Sequence, residues 1–216
     1  MKIRWNGHSS FTITAADGTT IVTDPYQPGA FGGGIAYRRI DVQPDIVTIS
    51  HEHDDHNYLD GFSGDFAVLR EAGQAKGIDF TAVDTFHDES GGSKRGANRI
   101  FVFTVDGVRL CHLGDLGHLL TDKQIAAIGK VDVLFLPVGG FYTIDANQAT
   151  DAMRRIDPRV VIPMHFKTDK CGFPITPVNV FTQGKDRVQM LDAVEIELSA
   201  DTLPGTTEIF VLKHYF

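Results

Sequence analysis

His51-Glu52-His53-Asp54-Asp55-His56 follows directly on the apolar segment Asp45-Ile46-Val47-Thr48-Ile49-Ser50, and this junction decides the fold. Four potential metal ligands fall within six residues, which core packing does not require. In an extended chain, side chains two apart leave on the same side, so His51, His53 and Asp55 share a phase while Glu52 and Asp54 point away. His56 joins them only where the chain turns. A strand that ends in two imidazoles and then bends to add a carboxylate and a third imidazole offers nitrogen and oxygen donors suited to zinc and its neighbours. A solvated turn seldom needs three imidazoles.

Working outward, other chemistry-bearing residues stand at the ends of apolar runs. Asp24-Pro25 follows Thr20-Ile21-Val22-Thr23; His87 closes Phe80–Phe86; Asp115 follows Leu110-Cys111-His112-Leu113-Gly114; His165 closes Val160-Val161-Ile162-Pro163-Met164. Taken singly, a His after a strand is a polar cap and a Gly-Asp is a turn. Taken in order behind H-x-H-x-D-H, they resemble the motif series of the metallo-β-lactamase superfamily across roughly residues 8 to 165. Gly7-His8-Ser9-Ser10-Phe11 and Gly114-Asp115-Leu116-Gly117-His118 are similar more narrowly to short bacterial hydrolases of the ascorbate-6-phosphate lactonase kind.

That resemblance implies an αββα four-layer sandwich (α/β, of the α+β type) and a site for two divalent cations. Zinc is favoured, with manganese, iron or nickel compatible with the same donors. It assigns His51, His53 and His87 to one ion, Asp55, His56 and His165 to the other, and Asp115 between them, with Asp24 bracing a ligating imidazole. Asp55 and Asp115 are the expected catalytic carboxylates. Ions held in this way lower the pKa of bound water from about 15.7 toward ~7, so the expected reaction is hydrolysis of a small anionic ester, lactone or phosphodiester by hydroxide. Two other classes are compatible with the donors: an iron-dependent oxidoreductase and a non-catalytic metal-binding domain. Diiron relatives that reduce oxygen tend to carry Glu at the position of His53.

Two glycine-rich loops are expected to border the site, Gly29–Gly34 around Phe31 and Glu89–Gly96 with Lys94 and Arg95. Lys94 and Arg95 are candidates for a substrate phosphate or carboxylate, and His8 and His118 for substrate contacts. Phe141, Tyr142 and Lys167 are weaker candidates for a pocket wall. His112, on the opposite strand face from Asp115, reads as structural, and His214 as solvated.

Composition bounds these readings. The 216 residues, 42% hydrophobic, suffice for one domain spanning 1–216. The formal charge of −8 and the lack of any Lys/Arg run disfavour a nucleic-acid surface, leaving a small anionic molecule as the expected partner. Two cysteines, no export signal and no apolar run near ~20 residues suggest a cytoplasmic protein that does not span a membrane, and make a β-lactam antibiotic a poor substrate guess. Strands are expected at 1–5, 9–14, 19–23, 45–49, 66–69, 80–86, 99–105, 108–113, 132–136, 159–163, 187–190 and 194–198. Helices are expected after Thr121 up to Gly129, from Ala146 to Ile156, and from Pro177 to Gln183. Ile209-Phe210-Val211-Leu212 is either a last sheet strand or the seal of a homo-oligomer contact.

Overall fold

The computed structural model describes residues 1–215. The first sheet contains β1 (Lys2–Gly7), β2 (Ser10–Thr14), β3 (Thr20–Thr23), β4 (Ile46–Thr48), β5 (Ala67–Leu69) and a late strand, Glu195–Glu197. The second contains β6 (Gly73–Ala75), β7 (Ile78–Phe86), β8 (Ala97–Val105), β9 (Val108–His112), β10 (Val133–Pro137), β11 (Val160–Met164), β12 (Val188–Met190) and, after β13 (that late Glu195–Glu197 strand), β14 (Glu208–Val211). Their orders are β13-β1-β2-β3-β4-β5 and β12-β14-β11-β10-β9-β8-β7-β6.

Burial along β7 changes face midway: Phe80 is buried between exposed Asp79 and Thr81, and after Ala82 the other face takes over, with Val83 and Thr85 buried and Asp84 and Phe86 exposed. β10 and β11 are instead buried throughout, as parallel strands covered on both faces are. Trp5, Phe11, Ile13 and Ile21 of the first sheet share one core with Phe101, Phe103, Leu110 and Phe135 of the second. The Phe11 and Phe135 rings meet at 4.3 Å between centroids.

The helices Asp122–Ile128 and Ala146–Ile156 pack on the outer side of the second sheet, against β7 and β10. Each starts with a reciprocal capping box, Thr121 with Gln124 and Asp145 with Gln148, which satisfies amides that a helix end otherwise leaves bare. A short third helix covers Val178–Thr182. Over the first sheet the outer layer takes another form. A second apolar cluster, including Val22, Val47, Ile49, Tyr26, Tyr37 and Ile40, is covered by irregular chain whose one helical turn, Ala30–Gly33, contains left-handed residues. The sandwich is thus clothed by helices on one side and mainly by loops on the other.

Ile209–Leu212 resolves as sheet: β14 lies between β11 and β12, and Ile209, Val211 and Leu212 are buried. His214 departs from the expectation of a solvated residue. It is buried, its Nε2 lies 2.9 Å from Asp169 Oδ1, and its ring abuts Trp5 and Tyr37.

Candidate metal centre

All the expected ligands lie at strand ends along one edge of the sandwich. His51 to His56 follow β4, His87 follows β7, Asp115 follows β9 and His165 follows β11. Their donor atoms form two main groups, His51 with His53 and His87, and Asp55 with His56, His165 and His8, while Asp24 makes a third with His51 and His56, one from each. Asp115 stands between the two main groups, its Oδ2 lying 3.2 Å from Nε2 of His87, of His56 and of His165.

One buried acid fixes the tautomers of two of these imidazoles. Asp24 Oδ1 accepts the Ser50 amide at 2.8 Å, and Oδ2 accepts the Ser50 hydroxyl at 2.6 Å and His56 Nδ1–H at 2.9 Å. The Ser50 oxygen, having given its proton to Asp24, accepts from His51 Nδ1–H at 2.9 Å. Both rings therefore turn Nε2 toward the centre, where the His51 atom is buried with no hydrogen-bond partner and the His56 atom is buried facing Asp115 Oδ2 at 3.2 Å. Burial of a polar atom without a partner is costly. Two nitrogens so placed beside buried carboxylates are what a divalent cation would satisfy, so the residues fit the metal site that the donor series implies.

Burial alone would raise the Asp115 carboxyl, but the facing His165 and His56 outweigh it and hold it well below the usual carboxylate range. Asp55 is likewise held low, His56 and His8 together overcoming its burial. Its amide anchored by Asn98 Oδ1 at 2.9 Å, Asp115 is also fixed through the backbone. Asn98, buried on β8, donates in turn to Leu113 O and Thr85 Oγ1. Gly114, with φ +55, approaches so closely that a Cβ there would lie 2.3 Å from Asn98 Oδ1.

His8 stands in this centre and not on a substrate wall. It is fully buried, and its Nε2 lies 3.0 Å from Asp55 Oδ2. Burial first, then repulsion from His165, lowers its pKa to about 4. His8 O also accepts the His165 amide at 3.1 Å, tying the first hairpin to the last ligand. His118 lies apart from the cleft: Nε2 accepts the Phe86 amide at 3.2 Å and Nδ1 faces Leu119 O at 2.9 Å, so both nitrogens are occupied by backbone. His112 bridges Ser9 O and the Gly114 amide, a structural position.

A cleft of about 230 Å³ opens over the ligands, with His53, Asp55, His87, Asp115 and His165 as floor and Phe31, Tyr142, Phe173 and Arg95 as walls. Phe31 reaches it from the first glycine loop in a left-handed conformation, φ 54, with 57% of its surface exposed. Arg95 lies over the Tyr142 ring, 5.4 Å from its centroid. Lys94 and Phe141 line a neighbouring depression, and Lys167 donates to Phe173 O at 2.8 Å, bracing the wall without joining it.

Asp88, which the motif series did not single out, organises the second loop. Its carboxylate accepts the amides of Ser90 (2.7 Å), Gly92 (3.1 Å), Lys94 (2.9 Å) and Arg95 (2.8 Å). These bonds hold its pKa down at about 2 despite burial of the group. Asp88-Glu89-Ser90-Gly91-Gly92, an Asp two residues before Ser and two glycines, is a side-chain-capped turn signature, so the sequence did carry a signal for it. Ser50 and Asn98 carried none, because their partners lie on other strands.

A His/Asp centre on the shared edge of two packed sheets defines the class of protein. The chain belongs to the metallo-β-lactamase superfamily, residues 2–165 matching the family described as the β-lactamase superfamily domain. It is similar to a UPF0173 metal-dependent hydrolase of Methanoculleus marisnigri, at 32% identity with 78% of this chain and 82% of the relative covered. It is also similar to a Thermotoga maritima protein whose crystal structure is described as that of a candidate Zn-dependent hydrolase of the metallo-β-lactamase superfamily, at 36% identity, 99% coverage of both chains and a TM-score of 0.80. The diiron β-hydroxylase CmlA of Streptomyces venezuelae shares the fold alone, at 13% identity and a TM-score of 0.56 over 79% of this chain and 46% of that one.

Proposed function

We propose that this protein is a metal-dependent hydrolase that cleaves a small anionic ester, lactone or phosphodiester, using two divalent cations, zinc foremost. The observation that carries the reading is the position of Asp115, one oxygen of which faces imidazoles of both ligand groups at 3.2 Å. His51, His53 and His87 would hold one ion, and Asp55, His56 and His165 the other. When bound, such a pair supplies Lewis acidity and a hydroxide nucleophile at neutral pH.

The chain's own residues do the rest. Asp24 and Ser50 keep protons on His51 and His56 Nδ1, and His8 Nε2 orients Asp55. Phe31, Tyr142 and Phe173 give the cleft an apolar wall that sheds water from the substrate body, while Arg95 provides a cation for an anionic group. The names borne by the Methanoculleus and Thermotoga relatives support hydrolysis. His53 stands where oxygen-reducing diiron relatives tend to carry Glu, and no observation favours a redox or a purely binding role. Among the described residues no helix is long and apolar enough to cross a membrane, and both cysteines, Cys111 and Cys171, are free and buried. A reducing, cytoplasmic setting is part of the proposal.

Elemental analysis of gently purified protein tests the metal count. Two equivalents per chain, falling to about one in His165→Ala, are expected. One equivalent of iron that ignores the substitution overturns the dinuclear hydrolase. The activity is tested on lactone, phosphodiester and thioester panels, with turnover expected to exceed that of Asp55→Ala and equality of the two counting against it.

A further inference from the structure

A second depression adjoins the cleft on the His51 side. It has a volume of about 350 Å³ and is lined by the β4 end from Ile49 to His53, by Arg70, and by Arg95 to Ala97 and Arg99. His53 and Arg95 line both cavities, so the two share a border. Three arginines thus line one depression beside the candidate metal centre, Arg95 at its border with the cleft, in a chain whose formal charge is −8. They come from separate elements: Arg70 from the turn after β5, Arg95 from the loop held by Asp88, and Arg99 from β8.

Charge balance within the depression favours an anion. Glu52 is the one carboxylate in its lining; it takes Arg70 Nε at 2.6 Å and is also held by Asn57 Nδ2 at 3.0 Å. Arg99 Nε bonds Asp84, which lies outside the lining, and Arg99 Nη1 contacts Arg70 O, so the two arginines are fastened to each other. Arg95 has no carboxylate partner among the described residues and rests on Tyr142. Its amide is one of the four gathered by Asp88, which fixes the base of the side chain before any ligand arrives.

We propose that this depression is a subsite for a phosphoryl group of the substrate other than the bond cleaved, read by Arg95, Arg70 and Arg99. A planar carboxylate is satisfied by one bidentate guanidinium, whereas a tetrahedral phosphoryl group turns three oxygens in three directions and uses donors from several elements. Lys94 is left out because it lines only the depression on the other side of its loop, whereas Arg95 borders both. The subsite rests on the hydrolase reading only in assigning the ligand to a substrate.

The test follows the arginine Nε–Hε NMR signals of the metal-loaded protein, assigned by single substitutions, during titration with inorganic phosphate and, separately, acetate. Signals of Arg70, Arg95 and Arg99 should move together with phosphate, at one midpoint, and acetate should need at least tenfold higher concentration. In Arg70→Gln/Arg99→Gln the midpoint read at Arg95 should rise at least tenfold, with metal content and melting temperature unchanged. Movement of Arg95 alone, equal in the double variant, would place phosphate at the metals and overturn the subsite, as would equal response to acetate or no response. If the signals titrate as expected while no ester is turned over, the hydrolase reading falls and the anion site stands.

Discussion

Asp24 Oδ2 lies 2.9 Å from His56 Nδ1, and both groups are buried. The same oxygen receives the Ser50 hydroxyl, so one carboxylate sets the tautomer of His56 directly and of His51 through Ser50. An amide in its place has one acceptor oxygen and offers N–H where Ser50 or His56 now donates. Replacing such a partner typically costs 10–100-fold in metal affinity. Asp24→Asn should therefore weaken zinc binding by about that factor, measured by competition with a chromophoric chelator.

Asp88→Asn keeps the size of the side chain but halves its acceptor oxygens, of which each now takes two loop amides. Amides of Ser90, Gly92, Lys94 and Arg95 should exchange hydrogen at least tenfold faster, and kcat/KM for anionic esters should fall while metal content holds. Unchanged exchange at these four sites would show that the loop is held by other bonds, such as Gln148 to Glu89.

Gly117 packs against the backbone of His87, one of the proposed ligands. A Cβ there would lie 2.3 Å from the His87 carbonyl carbon and 2.4 Å from the Asp88 amide nitrogen, neither of which can swing aside as a side-chain tip would. Gly117→Ala should cost about 1–3 kcal/mol, in line with overpacking elsewhere. Thermal unfolding at saturating zinc reads the stability loss, and a metal titration should show weaker binding as His87 is displaced.

Chelation and acid should remove metal in different ways. Since a ligand bound only by the folded state stabilises it by about 2.7 kcal/mol at a hundred times its Kd, a strong chelator should lower the melting temperature and zinc should restore it. Asp115 and Asp55 are held below the usual carboxylate range, so they remain ionised as pH falls through the region where imidazoles gain protons. Metal should then leave as acid brings protons to compete for the imidazoles, and burial, which holds His51 and His53 below their ordinary range, should delay this, read as zinc released to an indicator dye. Retention of zinc down to about pH 4 would point to carboxylate-dominated ligation.

Much of this site was legible because its chemistry is concentrated at strand ends, where a change of period and a change of residue type coincide. The H-x-H-x-D-H junction and the caps at Thr121 and Asp145 are local signals, and local signals survive in one dimension. Ser50 and Asn98 act through partners 26 and 17 residues away, Asp24 and Asp115, and look like ordinary strand polars until the sheets are assembled. His8 and His118 sit in similar glycine-flanked surroundings in the sequence; burial against Asp55 separates one from the other, which backbone groups consume. His214 seemed solvated because of its place near the end of the chain, yet the aromatic rings of Trp5 and Tyr37 enclose it. The loop layer over the first sheet was hidden for a related reason: Tyr26, Tyr37 and Ile40 are spaced irregularly, with no period to announce what they cover.

The donors come from both sheets, His51 to His56 from the six-stranded one and His87, Asp115 and His165 from the eight-stranded one. An ion shared among them would act as a rivet through the rim of the sandwich, so the catalyst would double as the fastener of the two halves. The rim then becomes the place where the halves part first when the rivet is drawn, while the Phe11–Phe135 contact inside keeps them together. Selection on turnover and selection on durability would fall on the same seven side chains, leaving the walls, Phe31, Tyr142, Phe173 and Arg95, free to drift toward new substrates.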